Sequence, residues 1–386
     1  MVSGPTDMST VAGEQMAASR VGTLARQPMI GLAGLGFVAV VFLLLGVLPS
    51  PMRSLTVLGP LTIFMLPTFI MISLWWNGRP AVDRFAQPVA GLVNLLLIAV
   101  GAVLSTWIGQ AIVGQADLEG IFTQPSPEPG GPFVTYPWTI PLAAATIVAM
   151  LQLTLVNEQW PLSRLRPIVG GLAALPVAWL VALVFYHALA NWDSVPAPAL
   201  AAIGVNNPGG PVDALNLTGW LLSVAVWQAI LFVLLRGQPF AAIRSRPMRL
   251  LVQNLTVVGI GWLWYLIQKD MFDWAVPRII AIAGVGVAAS FIVGMLFEAW
   301  PSRNLLSPAL TAMGLFATMV AVVVLEFFGL RALGNAIETW TPQAPVELWV
   351  GTVGLNYLAG AVVLHYAIFG RWPFAPPEPP PPPPPA

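Results

Sequence analysis

The chain contains no cysteine. That removes disulfides, thiolate metal sites, iron–sulfur clusters and cysteine nucleophiles together. It is also poor in charge: only 8% of its 386 residues are Asp, Glu, Lys or Arg, where a soluble domain carries about 25%. Acidic and basic residues balance at 16 each, so nothing in the net charge invites nucleic acid or an acidic partner. Lysine occurs once, as Lys269, against fifteen arginines, a bias typical of a GC-rich bacterial chain. Histidine occurs twice, at His187 and His365. The sequence has no phosphate-binding lysine loop, no HExxH, no GxSxG and no EF-hand loop. GVGVAAS at 284–290 lies inside an apolar run, which makes it a small-residue packing stripe and not a dinucleotide turn. No cofactor or metal is expected, and no catalytic residue is assigned.

What is present is apolar length. Hydrophobic residues make up 57% of the chain, more than a soluble fold of this size can hide, so lipid is the solvent. Ten runs approach or exceed the roughly 20 helical residues that cross hydrocarbon: 29–48, 54–76, 88–109, 139–157, 168–190, 217–236, 250–267, 277–298, 309–330 and 347–369. They lack the alternation of barrel strands. The expected fold is an all-α polytopic membrane protein with about ten transmembrane helices. Residues 1–28 read as a disordered cytoplasmic tail before an uncleaved first span. Residues 374–386 read as an extended polyproline tail.

Counting basic residues orients the chain. With a cytoplasmic N-terminus, twelve of the sixteen fall on the cytoplasmic side and four (Arg53, Lys269, Arg278 and Arg331) on the other. That satisfies the positive-inside rule and returns the C-terminus to the cytoplasm of an inner (plasma) membrane. The long loops 110–138 and 191–216 then face outward, as short caps.

The cytoplasmic turns resemble one another. WWNGRPAVDRFAQP, NEQWPLSRLRP, LRGQPFAAIRSRP, FEAWPSRNLLSP and FGRWPF align on Pro80, Pro161, Pro239, Pro301 and Pro373, at intervals of 81, 78, 62 and 72 residues. The first four carry a second proline six to eight residues on. Tryptophan suits the headgroup level, the first proline stops a helix, and the second suits the start of the next. The expected architecture is repeated αα-hairpins in parallel orientation. The units are about 54–109, 139–190, 217–267 and 277–330, with a half-unit 347–373. Arg79, Arg84, Arg164, Arg166, Arg244, Arg246 and Arg303 are placed to meet lipid headgroups. The sixteen tryptophans, mostly near span ends, form an aromatic belt.

Polar groups inside a membrane are functional candidates by default. Glu326 in span 9 reads as a proton carrier or cation ligand, or as a partner of Arg331. Glu158 and Glu298 occupy the same position in two units, three residues before the aligned proline. They read as a pair of rim carboxylates that share a proton or cation, or as partners of Arg164, Arg166 or Arg303. His187 and His365 fall at opposite depths, which excludes a two-histidine site, and His365 alone can shuttle protons. Asn94, Gln152 and Asn356, with Asn157, Gln228, Gln253 and Asn254, are helix-to-helix glue or the lining of a polar path.

Three functions fit. A secondary transporter or permease for a small solute matches the span number and the scattered intramembrane polar groups. A non-catalytic subunit that anchors or assembles a complex, with other membrane subunits or further copies of itself as partners, matches the lack of a charged constellation. An intramembrane enzyme is least supported, because no acid, base and metal converge. The lipid bilayer is a partner in every case.

Overall fold

The computed structural model describes residues 27–126, 131–302 and 307–374. Most of the N-terminal tail, nearly all of the polyproline tail and Arg303 lie outside the described residues. The described residues are mostly helical. Among the described residues, the one sheet is a two-residue parallel pair, Ala190–Asn191 with Val212–Asp213.

Among the described residues, nine helices are long and apolar enough to cross a membrane: α1 Met29–Val47, α2 Pro51–Trp75, α3 Val89–Val113, α5 Pro167–Leu189, α6 Ala214–Leu234, α7 Arg246–Met271, α8 Val276–Leu296, α9 Pro308–Ile337 and α10 Val346–Ile368. A tenth, α4 Ile140–Val156, is apolar but spans only 17 residues. The protein is therefore a multi-pass membrane protein in contact with lipid. Several helix starts follow directly from the sequence. Pro167 and Pro308 open α5 and α9, where a missing N–H costs nothing. The Ser307 hydroxyl accepts from Leu310 N at 3.2 Å. Asp213 caps α6 by accepting from Leu215 N and Asn216 N.

The helices separate into two layers. In α2, α6, α8 and α10, 78–83% of the most apolar window is buried; in α1, α3, α5, α7 and α9 the share is 17–39%. α4 belongs with the first set: Leu142, Ala143, Ala144, Thr146 and Met150 are fully buried. The five buried helices contact one another in the order α2, α4, α6, α8, α10 and back to α2, so they close a ring. α3, α5 and α7 each cover a groove on the outside of this ring, and α1 and α9 lie against α8 and α10. The outer helices turn leucines such as Leu96, Leu180, Leu255 and Leu325 outward. In lipid that exposure carries no hydrophobic penalty.

All five ring helices end in the same way. Residues three and two before the aligned prolines adopt left-handed backbone: Asn77 and Gly78, Glu158 and Gln159, Arg236 and Gly237, Glu298 and Ala299, Gly370 and Arg371. The amide of the second residue reaches back six positions: Gly78 to Ile72 O, Gln159 to Leu153 O, Gly237 to Leu231 O, Ala299 to Val293 O and Arg371 to His365 O, at 2.7–3.0 Å. This satisfies carbonyls that a helix end leaves open, by a closure one residue wider than the Schellman motif. Seven of the ten left-handed residues are not glycine. The turns are therefore imposed by the surrounding structure and are not simply permitted by the local sequence.

Candidate functional site

Two half-open cavities lie inside the ring. One, about 480 Å3, lies toward the end where the long loops gather, and is lined by Ile63, Ile140, Leu222, Ile280 and Leu355 among others. The other, about 450 Å3, lies toward the Trp-Pro turns, and is lined by Phe69, Leu151, Phe232, Phe291 and Val363 among others. Residues at the ends of, or within, all five ring helices contribute to both cavities. Leu355 of α10 lines both, and so marks the barrier between them.

The barrier coincides with an irregularity in α10. Residues Val353–Ala359 form i→i+5 turns in mid-helix. Such π segments loosen the backbone and recur at functional sites. Within this segment Asn356, next to Leu355, is buried and ties α10 to α2: its Nδ2 donates to Gly59 O at 3.1 Å and to Thr62 Oγ1 at 3.0 Å. Its Oδ1 is buried without a hydrogen-bond partner, and the residue lines the loop-end cavity. A second tie lies nearby, where the Tyr357 hydroxyl donates to Ser54 O at 2.8 Å.

The loop-end cavity is partly roofed. Tyr136 OH donates to Gln343 O at 3.2 Å, and Trp138 meets Trp192 edge to face at 5.0 Å. Burial pushes the Tyr136 phenol above its ordinary value, so it stays a neutral donor. Asp213 lines this cavity, but its carboxylate is occupied by Ser194 Oγ, two backbone amides and Asn216 Nδ2. At the turn-end cavity, the one charged lining residue is Arg236.

The intramembrane candidates are distributed otherwise than a pathway requires, with Asn356 the exception. Gln152 is glue: Gln228 Nε2 donates to its Oε1 at 2.6 Å, and its Nε2 donates to Asn254 Oδ1 at 2.8 Å. Asn254 in turn donates to Asn157 Oδ1 at 2.8 Å, so one chain of side-chain amides joins α4, α6 and α7. Asn94 Nδ2 donates to Gly78 O at 2.9 Å and secures the α2–α3 turn. His187 is exposed on α5 beside Tyr186. His365 is buried and faces α1, with ring centroids 5.1 Å from Phe37, and its Nδ1 has no partner. Glu326 lines neither axial cavity, and its Oε2 is buried without a hydrogen-bond partner. Arg331, expected as its partner, pairs with Glu347 at 3.1 Å.

The rim carboxylates are a correction in detail. Glu158 takes Arg249 through both oxygens, at 2.8 and 3.1 Å, with Arg246 at 3.6 Å. Glu298 pairs with Arg371 at 2.6 Å. Arg164 and Arg166 are exposed and form neither pair, because the neighbouring hairpin and the chain's own last turn come closer. Each acid is thus engaged by an arginine from another part of the chain, while Arg303, the other expected partner, lies outside the described residues. Arg79 meets Asp83 at 3.4 Å on the surface, and Arg84 and Arg244 are exposed at the same end. Among the described residues, no cluster of three or more His, Cys, Asp or Glu could hold a metal.

The amide chain yields a direct prediction. Gln152→Leu removes one hydrogen bond from Gln228 Nε2, which keeps Val148 O, and leaves Asn254 Oδ1 without its donor inside the membrane. It should destabilise the protein by about 1–2 kcal/mol, seen as a lower midpoint in detergent unfolding. An unchanged midpoint would show that the chain contributes nothing to stability.

Fold and site together define a multi-pass membrane protein with two cavities lined from one ring of helices. No protein-family model, curated protein or solved structure matches the chain.

Proposed function

We propose that the protein is a permease or channel-like transporter for a small solute, and that the solute moves along the axis of the five-helix ring. One observation carries this reading. Two cavities of ligand size, on opposite sides of Leu355, are each lined from all five ring helices. An assembly subunit has no use for cavities inside its ring, and packs helices densely instead. The apolar barrier is suited to a pathway that opens by small helix movements, since apolar constrictions exclude water when closed. The π segment Val353–Ala359, which contains Leu355, loosens the backbone at the barrier itself.

On this reading the chain crosses the membrane ten times, with α4 as a span in spite of its length. α2–α3, α4–α5, α6–α7 and α8–α9 are parallel hairpins, and α10 is a half-unit. The recurring left-handed turns support the repeat. The excess of arginine at the turn end supports placing that end, with both termini, in the cytoplasm of an inner membrane.

Gly360 supplies the test. It lines the turn-end cavity, and a Cβ built on it meets nothing within 4 Å. Gly360→Phe should therefore fill the cavity while the fold survives. Flux of small solutes into liposomes that hold the purified protein should exceed that of protein-free liposomes, and G360F should lose most of the excess. If protein-containing liposomes match empty ones across neutral, anionic and cationic solutes, the assembly reading takes its place.

A further inference from the structure

We infer that the turn-end cavity binds a small organic anion, a carboxylate with an apolar body, and that Arg236 holds its charged group. This rests on the axial reading above and gives it a substrate class.

The cavity's chemistry is asymmetric. Its body is hydrocarbon, from Phe69, Leu151, Phe232, Phe291 and Val363. At about 450 Å3 it has room for a small organic molecule, in the usual range for small-molecule sites. Arg236, directly after α6, brings the one charge. Arg236 makes no hydrogen bond or ion pair with any described residue, unlike Arg249 and Arg371, which are both committed to glutamates. No carboxylate lines this cavity. The nearest candidates by position in the fold, Glu158 and Glu298, are held by Arg249 and Arg371.

A second polar group lines the same cavity. The Tyr366 hydroxyl accepts a hydrogen bond from Arg371 at 2.5 Å, and the Arg371 guanidinium lies 4.3 Å from the Tyr366 ring centre. Its lone pair is thus engaged, and its O–H remains to be donated. An uncommitted guanidinium and a phenolic donor, above an aliphatic and aromatic pocket, match a carboxylate that carries a hydrocarbon group. A cation has no acceptor with charge there. A small inorganic anion would leave the apolar volume unused.

The turn that carries Arg236 also places it. Arg236 and Gly237 are both left-handed, which reverses the chain directly after α6. The equivalent positions in the other units carry Asn77, Glu158, Glu298 and Gly370. The ring is therefore not five-fold symmetric in charge, and only the α6 unit presents a cation at this site.

The test is calorimetric titration of the full-length protein in mild detergent. Benzoate serves as the probe, benzamide as its neutral analogue and benzylammonium as its cationic one. Benzoate should bind at least about tenfold more tightly than benzamide, the scale of a lost charge-assisted hydrogen bond, and benzylammonium should not bind. Arg236→Gln should weaken benzoate about tenfold or more and leave benzamide unchanged. Gly360→Phe should remove both. Gel filtration of each variant establishes that it is folded. Equal binding of benzoate and benzamide, benzoate affinity unaffected in R236Q, or no benzoate binding to monodisperse wild-type protein would each overturn the inference. Failure of the permease reading is distinguishable: Arg236-dependent benzoate binding in a protein that carries no flux leaves the site standing, and flux without preference for the carboxylate sinks the site alone.

Discussion

Leu355→Ser should raise solute flux through reconstituted liposomes about tenfold, equivalent to removing about 1.4 kcal/mol from the barrier. Leu355 is 5% exposed and lines both axial cavities. Burying a leucine side chain is worth about 1.5–3 kcal/mol relative to leaving it wet. The same term opposes a water file through the barrier, so a hydroxyl in its place favours wetting over closure. Volume lost at this position opens the path, because space lies on both sides of it. Leu355→Ile keeps volume and polarity and should leave flux close to wild type. A folded L355S protein with wild-type flux would mean that Leu355 is ordinary core, and the path would have to be sought elsewhere.

Gly284→Leu should prevent recovery of monodisperse protein. A Cβ at this position would lie 2.2 Å from the carbonyl oxygen of Gly351 and 2.7 Å from its Cα. Both are backbone atoms, so no rotamer change relieves the clash. α8 and α10 meet backbone to backbone there, as small residues allow in membranes. Separating them would break two ring contacts, since each helix also packs on its other neighbour. The expected cost is about 3 kcal/mol or more, the upper part of the overpacking range. Gly259 on α7 provides the control. It is exposed, a Cβ there meets nothing within 4 Å, and Gly259→Leu should purify like wild type. Normal yield and elution of G284L would show that α8 and α10 can separate without loss of the fold.

The apolar runs locate the helices well, because hydrocarbon imposes both length and composition on what crosses it. The start of α5 and the end of α4 each fall within about one residue of the run that marks them. The apolar run of α9 stops at 330, whereas the helix continues to Ile337. A charge count cannot see this, because a helix that leaves the hydrocarbon may carry Arg331 and still keep its hydrogen bonds. α4 is shorter than the equally shielded α2, α6, α8 and α10, which run 21 to 25 residues, and burial does not account for the difference.

The division into ring and outer layer was not legible. Both layers are apolar, one because it faces protein and the other because it faces lipid, and no amphipathic period separates them. The axial residues were invisible for the same reason: nothing about Leu355 or Gly360 distinguishes them from core. Glu326, Glu158 and Glu298 stood out because they are rare. Yet the two glutamates at the turns find arginines 91 and 73 residues away in the chain, which no local pattern could indicate. Arg236 stands at the position that Glu158 holds in the neighbouring unit, three residues before the aligned proline. Its significance required knowing which residues surround the same space.

The joint between α2 and α10 also bears on how the protein is made. Asn356 and Tyr357 complete hydrogen bonds to Gly59, Thr62 and Ser54 across 294 to 303 residues of chain. A ribosome that delivers the helices in order inserts α2 first among the ring members and α10 last. Throughout synthesis the nascent chain is an open crescent, with the flank of α2 unpartnered. Every truncation that removes α10 is left in that condition, without the tie that completes the polar groups at its edge. Quality control of the protein in the cell therefore turns on its final helix, and premature stops ahead of residue 346 should be degraded as a class, however many helices they retain.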